Sequence, residues 1–212
     1  MELPIARRLR KKAQVDVAFL QDEIADILYS VEQRAVIHGG TAIWRCYDGK
    51  RFSEDLDFYA FGKDLGELPA KAESRGIKVL KFRMTDNLLF AGFSDGEAEV
   101  RLEVDFAARK AGTLAPFERT DGSSMQVFSL TPEELIVEKI AAYRGRRLIR
   151  DLYDIAHLSG LVKAGQVVAR PLSGFLSNVA TPLDEQNLKA IVYSGAIPTY
   201  GELVSSLRRR WG

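Results

Sequence analysis

Two aspartates separated by a single apolar residue constrain the fold of this 212-residue chain more than any other feature. Asp55 and Asp57 alternate with Leu56 and Phe58, and residues at i and i+2 of a β-strand point to the same face. The pattern therefore predicts a strand with one carboxylate face and one core-facing apolar face. Two neighbouring carboxylates repel unless a cation lies between them, and Mg²⁺ is the usual cation for hard oxygen ligands, often with substrate phosphates completing its shell.

A glycine pair lies upstream of this strand, in the segment His38-Gly39-Gly40-Thr41. Because glycine has no Cβ, backbone amides at such a turn can approach a phosphate closely. Thr41 stands near the N-cap of a helix that we expect to follow. A glycine turn followed by a metal-binding strand indicates nucleotide-dependent chemistry.

The first part of the chain has the periodicity of an α+β domain. Residues 13–32 show apolar positions at helical spacing, which predicts an amphipathic helix. We expect a short helix over 66–76 and strands over 35–37, 56–61, 77–84, 87–93, 98–107 and 126–130. We therefore predict an α+β nucleotide-handling domain over residues 1–130.

The pattern becomes helical after residue 130. Thr131, Pro132 and Glu134 fit the N-cap, the first helical position and the third position of a capping box. Further helical patterns cover about residues 149–160, 183–193 and 200–211. We predict a helical domain over residues 131–212 that completes the active site.

Bulk composition excludes several classes of protein. Hydrophobic residues make up 46% of the chain, which argues against disorder, and no apolar run approaches the ~20 residues of a membrane span. The lone Cys46 excludes an intrachain disulfide and a cysteine-rich zinc site. With no signal peptide pattern at the N-terminus, we expect a cytoplasmic protein without membrane contact.

Positive charge is clustered although the formal net charge is only +1. The clusters are Arg7–Lys12, Arg144–Arg150 and Arg208–Arg210. Clustered arginines can hold phosphates or nucleic acid even on a nearly neutral protein. The two terminal clusters are equally typical of a solvated helix face.

A second alternating segment offers a third carboxylate. In Arg101-Leu-Glu103-Val-Asp105-Phe106, Asp105 precedes a phenylalanine as Asp57 does, and we assign it to the metal set. Glu103 shares a face with Asp105 and is the competing choice. Pairing of the two strands would gather three carboxylates around one or two metal ions, an arrangement that stabilises attacking and leaving oxygens in phosphoryl transfer.

A lysine on an apolar helix face is a further candidate. Lys139 shares a face with Leu135 and Ile136, an unusual place for an ammonium group unless it reaches a site, where it could neutralise a triphosphate. Arg144 and Arg147 lie about one and two turns further along and could add phosphate contacts.

Two acids on the following helix could assist this lysine. Asp151 and Asp154 lie at i and i+3 and share a helix face. One of them could orient Lys139 or an arginine, or could activate a hydroxyl group as a base.

These segments together resemble the AbiEii/MenT-like nucleotidyltransferase toxins of the polymerase-β-like nucleotidyltransferase superfamily. The matching segments are Gly39-Gly40-Thr41-Ala42, Arg51-x-Ser53-x-Asp55-Leu-Asp57-Phe58, Glu138-Lys139-Ile-x-Ala142 with Arg144, and Arg150-Asp151-Leu-x-Asp154-Ile. Their order and spacing fit over residues ~35–160. The resemblance implies the mixed sheet with helices of that superfamily, followed by a mainly helical C-terminal part.

The resemblance also implies a role for each matching residue. Asp55 and Asp57 would bind Mg²⁺ or Mn²⁺. Lys139 would hold the triphosphate, and Asp154 or Asp151 would serve the acidic role of the motif, with Asp154 the choice for a catalytic base. The remaining nucleotide-binding residues would be Gly39, Gly40, Thr41, Arg51, Ser53, Arg144 and Asp151.

We therefore expect Mg²⁺-dependent transfer of a nucleoside monophosphate from an NTP to an acceptor hydroxyl, with release of pyrophosphate. Characterised relatives act in some cases on a tRNA 3′ end and are neutralised by a partner encoded beside them. The resemblance thus implies an RNA acceptor and a cognate antitoxin. Three alternatives stay open, namely a phosphotransferase, a small-molecule nucleotidyltransferase and a non-catalytic NTP-binding regulator.

Overall fold

The computed structural model describes residues 3–62, 64–108, 110–163 and 167–212. The chain forms two compact units. The first comprises Met1–Cys46 and Phe52–Leu130, and the second comprises Tyr47–Arg51 and Thr131–Gly212. Over the described ranges, no helix is long and apolar enough to cross a membrane.

The first unit contains a mixed β-sheet. Its helices are α1 (Ile5–Arg8), α2 (Lys12–Val31), α3 (Gly39–Cys46) and α4 (Leu68–Ser74). Its strands are β1 (Val36–His38), β2 (Leu56–Tyr59), β3 (Lys78–Met84), β4 (Leu88–Ser94), β5 (Glu99–Asp105), β6 (Thr113–Glu118) and β7 (Ser124–Ser129). Among the described residues, seven strands form one sheet in the order β3-β4-β5-β2-β1-β7-β6. Strand β2 pairs parallel with β5 and antiparallel with β1, which confirms the predicted α+β fold with a mixed sheet.

Alternation along the central strands directs one face of the sheet into the core. Leu56, Phe58, Leu102 and Val104 are buried completely, and each buried Å² of apolar surface contributes about 25 cal/mol. Asp57 and its counterparts on β5 lie between these residues and point to the opposite, outer face. A shift of one residue would exchange the two faces, so the apolar pattern determines which side chains the outer face presents.

The second unit is helical. Its helices are α5 (Pro132–Arg146), α6 (Ile149–Ser159), α7 (Ala169–Leu176), α8 (Leu188–Ile191) and α9 (Tyr200–Trp211). Helix α5 begins with the predicted capping box, in which Thr131 and Glu134 each bond the backbone amide of the other. The segment Tyr47–Arg51 belongs to this unit because Tyr193 donates its hydroxyl to the Gly49 carbonyl over 2.8 Å and Arg51 forms a β-bridge with Val192.

The sequence pattern predicted neither β6 nor α7. Strand β6 contains Pro116 and lies at the edge of the sheet, the position where a strand tolerates proline. The predicted helix over 183–193 is broken into a 3₁₀ turn, Glu185–Asn187, followed by the short α8. Short elements of this kind are stabilised by packing, which local periodicity does not report.

Candidate active site

Three polar side chains form a row across the centre of the sheet. Asp57 on β2 lies opposite His38 on β1 and opposite Glu103 on β5. Residues directly opposite each other on neighbouring strands share a face and have Cβ atoms about 5 Å apart. The pairing of Asp57 with Glu103 brings carboxylates of β2 and β5 together on the outer face. Asp55 immediately precedes β2 and is exposed.

The neighbouring carboxylates also affect the pKa of Glu103. Burial raises the pKa of Glu103, and the negative charges of Asp57, Asp105 and Asp55 add to this effect while His38 opposes it. Repulsion of this kind is relieved by a proton or by a bound cation.

The two candidates for the third carboxylate differ in their surroundings. Asp105 lies opposite Tyr59 rather than opposite an aspartate. Its Oδ1 accepts hydrogen bonds from the amides of Ala107 and Ala108, over 2.6 and 3.1 Å, so it caps the turn after β5. The geometry therefore favours Glu103 over Asp105 as the partner of Asp57.

The donor set fits a divalent cation bound together with a substrate. Within the part of the chain that the structure describes, no three His, Cys, Asp or Glu side chains are gathered into a complete metal site. Mg²⁺ is commonly held by one or two protein carboxylates, with water and substrate phosphates as the other ligands. Asp55, Asp57 and Glu103 offer hard oxygen ligands of this type on one face.

The glycine turn lies directly against the carboxylate row. Gly39 has a φ of +71°, in the left-handed region that favours glycine. A Cβ on this residue would overlap Oδ2 of Asp57 and lie 3.1 Å from its Cγ. Gly39 also begins α3 and Gly40 is buried within it. The first amides of a helix lack intrahelical partners and favour phosphate.

Two buried side chains hold the segment that leads into β2. Thr41 donates its hydroxyl to the Asp55 carbonyl over 2.5 Å. Gln21 on α2 donates its amide to the carbonyls of Ser53 and Glu54, over 2.9 Å in each case. Three consecutive carbonyl groups are thus anchored, which fixes the backbone that carries Asp55.

Gln21 belongs to no motif that the sequence patterns identified. The available signal is its position on α2, where Ile24, Ala25 and Leu28 follow on the same buried face. A glutamine on an apolar helix face needs hydrogen-bond partners, and here these partners are in the site.

A buried arginine supports Gln21. Arg45 on α3 is only 2% exposed. It donates to the Ala18 carbonyl over 2.9 Å and to the Gln21 side-chain oxygen over 3.3 Å, and it lies 3.4 Å from Asp22. Its guanidinium also stacks 4.1 Å from the Trp44 ring centre. This network ties α3 to α2, so the glycine turn and the Asp55 segment share one support.

The second unit contains a buried cluster of charged residues. Arg51 donates from Nε and Nη2 to the two carboxylate oxygens of Asp154, each over 2.6 Å. The Lys139 ammonium lies 3.0 Å from Asp154 and 3.6 Å from Asp151. Arg146 binds Asp151 through two hydrogen bonds of 2.7 Å. Arg51, Lys139, Asp151 and Asp154 are all buried.

This arrangement favours one of the two roles left open for Asp154. Burial alone would raise the pKa of Asp154, but Arg51 and Lys139 outweigh it and hold the pKa below its usual value. A carboxylate with both oxygens bonded and a lowered proton affinity is a poor base. The geometry therefore favours Asp154 as the residue that orients Lys139 and Arg51.

Three further predicted nucleotide-binding residues differ in their exposure and hydrogen bonds. Arg144, near the end of α5, is exposed and donates to the Gly174 carbonyl of α7 over 3.3 Å. Ser53 lies half-buried in the segment before β2. Asp151 accepts from Arg146 and is completely buried.

The chain is similar to nucleotidyltransferases in sequence and in fold. The family described as nucleotidyl transferase AbiEii toxin of a type IV toxin–antitoxin system matches residues 26–170. The structure is similar to JHP933 from Helicobacter pylori, with 21% identity and a TM-score of 0.68 over 93% of this chain and 89% of that one. It is also similar to MenT4, a nucleotidyltransferase toxin from Mycobacterium tuberculosis, with 18% identity and a TM-score of 0.64 over 98% of this chain and 87% of that one. No curated protein matches the chain in sequence.

These findings confirm the resemblance inferred from the motifs. The family match includes every candidate residue from Gly39 to Asp154. The two solved structures show a shared fold.

Proposed function

The chain belongs to the AbiEii family of nucleotidyltransferase toxins, and we propose that it transfers the nucleoside monophosphate of an NTP to a 3′ hydroxyl of RNA, with tRNA as the first candidate. One observation carries the proposal. Asp57 on β2 lies opposite Glu103 on the neighbouring strand β5. Asp55 is close by in sequence, and Asp57 lies directly against the Gly39 turn. Hard oxygen ligands beside a turn whose amides favour phosphate support the proposal of a divalent cation bound together with a nucleotide.

The proposed reaction is an in-line displacement at the α-phosphorus. The acceptor oxygen forms a bond to this phosphorus, the bond to the bridging oxygen breaks, and pyrophosphate leaves with the electron pair. The proton of the attacking hydroxyl passes to water or to a carboxylate oxygen. A bound Mg²⁺ supplies charge neutralisation at the phosphate oxygens.

We assign the residues of the first unit separate roles in this reaction. Asp55 and Asp57 would hold the cation, with Glu103 beside them. The amides at Gly39 and Gly40 would bind phosphate oxygens. Thr41 contributes by anchoring the Asp55 carbonyl, so its hydroxyl acts on the site through the backbone.

Lys139 is proposed to contribute positive charge to triphosphate binding. Its ammonium is held by two carboxylates, those of Asp154 and Asp151, so its position is fixed before any ligand binds. Preorganised charge costs little reorganisation when phosphate arrives. Membership of a toxin family further leads us to propose an antitoxin protein as a partner.

The experiment uses each α-³²P-labelled NTP in turn with Mg²⁺ and total tRNA. We expect label on RNA with the wild-type chain and near-complete loss with Asp57→Asn, because the variant removes the negative charge of a proposed metal ligand without changing side-chain size. Asp16→Asn is the matched control, since Asp16 lies on α2 outside the candidate site and pairs with the exposed ammonium of Lys12.

The outcomes separate the alternatives. Transfer from γ-³²P-labelled NTP and not from the α-labelled form would indicate a phosphotransferase. Wild-type transfer rates in Asp57→Asn would refute the assigned metal site. NTP binding without transfer to any RNA would remove RNA as the acceptor.

A further inference from the structure

A cleft of about 530 Å³ opens beside Asp55 in the first unit. Three adjacent strands line it with the side chains of Leu80, Lys81, Phe90, Glu99 and Arg101 and with the backbone of Gly92. The cleft therefore extends the candidate active site along the outer face of β3, β4 and β5.

In one row of the cleft, a basic residue lies on each side of a glycine. Lys81 on β3 lies opposite Gly92 on β4, and Gly92 lies opposite Arg101 on β5. A Cβ on Gly92 would meet its nearest neighbours at ordinary distances of 3.8 to 3.9 Å. Because Gly92 has no side chain, bare backbone lies between the two basic groups, where a phosphate can approach closely.

The next row leads from an exposed aromatic ring to the carboxylates. Arg83 lies opposite Phe90, Phe90 lies opposite Glu103, and Glu103 lies opposite Asp57. Phe90 is 37% exposed, and two strand spacings, about 10 Å, separate β4 from β2. Phe90 therefore lies between a cation and a carboxylate in its own row, next to the row that contains Lys81 and Arg101. An exposed aromatic side chain beside basic residues is a platform on which unpaired bases stack.

Sheet order indicates which substrate enters the cleft. The Gly39 turn follows β1, on one side of β2, whereas the cleft is built from strands on the β5 side. An in-line displacement needs the attacking and leaving oxygens on opposite sides of the phosphorus. If pyrophosphate leaves on the glycine side, the acceptor hydroxyl approaches from the cleft.

We infer that this cleft binds the last unpaired nucleotides of the acceptor RNA, with a base stacked on Phe90 and a phosphate between Lys81 and Arg101. The inference rests on the proposed function and deepens it. Glu54 and Glu99 also line the cleft, so the phosphate site is confined to the row that contains the two cations. Basic residues are common on edge strands such as β3, where they prevent pairing with other chains. This role does not explain Arg101, which lies on β5, two strands from the edge. It also does not explain the exposed ring of Phe90.

The test compares Phe90→Leu and the double variant Lys81→Gln/Arg101→Gln with controls outside the cleft. Phe19→Leu and Lys71→Gln are the controls, because Phe19 is an exposed aromatic residue on α2 and Lys71 is a partly exposed cation on α4. Each variant is measured for KM of the acceptor RNA, KM of the NTP, and anisotropy of a fluorescein-labelled unpaired oligoribonucleotide over a range of salt.

We expect Phe90→Leu to weaken oligonucleotide binding about ten-fold. The double variant should lower the slope of log K against log salt by about 0.7, since the one phosphate held between Lys81 and Arg101 contributes about 0.7 on a single strand. The KM of the acceptor should rise in both, with the KM of the NTP unchanged and both controls equal to wild type.

Two results would overturn the inference. If the wild type labels RNA while the cleft variants keep a wild-type acceptor KM and salt slope, the inference fails and the proposed function stands. If the wild type binds NTP but transfers to no RNA, both fail together.

Discussion

Replacing Gly39 by alanine should displace the Asp57 carboxylate while the protein stays folded. The backbone at Gly39 has a φ of +71°, a left-handed conformation that costs a residue with a Cβ about 1–2 kcal/mol. The added methyl group would also overlap Oδ2 of Asp57. Because that oxygen ends a rotatable side chain, we expect the carboxylate to turn aside while the fold persists.

Gly76 offers a matched control in the same unit. Its φ is +76°, and an added Cβ there would meet no atom within 4 Å. Gly76→Ala therefore carries the same backbone cost of about 1–2 kcal/mol without any steric effect. The two variants should lose similar free energies of unfolding in urea, so any difference in activity reports the displacement of Asp57.

We expect Gly39→Ala to lose about 100-fold or more in transfer rate, since displacement of a reacting group by about 1 Å costs that much. Mn²⁺ affinity, measured by electron paramagnetic resonance with a non-hydrolysable NTP, should fall in the same variant. Gly76→Ala should match wild type in both assays. A Gly39→Ala protein with wild-type transfer rate and Mn²⁺ affinity would refute the contact between the turn and the metal ligand.

Three other predictions follow from the buried polar groups. Asp154→Asn leaves Arg51 and Lys139 buried without their shared anion and should lower the free energy of unfolding by about 3–5 kcal/mol. The control Asp16→Asn should change this free energy by less than about 1 kcal/mol. A loss below about 1 kcal/mol in Asp154→Asn would contradict the buried cluster. The pKa of Asp154 is lower in the folded protein than in the unfolded chain. The contribution of Asp154 to stability is therefore complete above the unfolded carboxyl pKa of about 4 and is lost as pH falls through the folded pKa. Urea unfolding of Asp154→Asn should accordingly depend less on acid pH than unfolding of the wild type. Gln21→Leu removes two hydrogen bonds from a buried side chain to the backbone carbonyls of Ser53 and Glu54 and should cost about 1–3 kcal/mol while raising the Mn²⁺ dissociation constant. Unchanged metal binding in a folded variant would limit Gln21 to a structural role.

Local patterns in the sequence determined the polarity of the central strand and the start of the helical part. The alternation of Asp55, Leu56, Asp57 and Phe58 predicted which face of β2 is buried, since side chains in a strand alternate with a period of two. The capping box at Thr131 likewise formed as predicted, because it needs residues only three positions apart.

Only the tertiary structure decided between residues with equivalent local patterns. Glu103 and Asp105 share a face of one strand, and the register of β5 on β2 places Glu103 opposite Asp57. Arg51 stands near Asp55 in sequence, yet it belongs to the helical unit and binds Asp154, 103 residues away. Periodicity reports the neighbours of a residue along its own element, whereas strand register and long-range hydrogen bonds depend on elements distant in the chain. The assignment of the acidic residues therefore needed the folded structure.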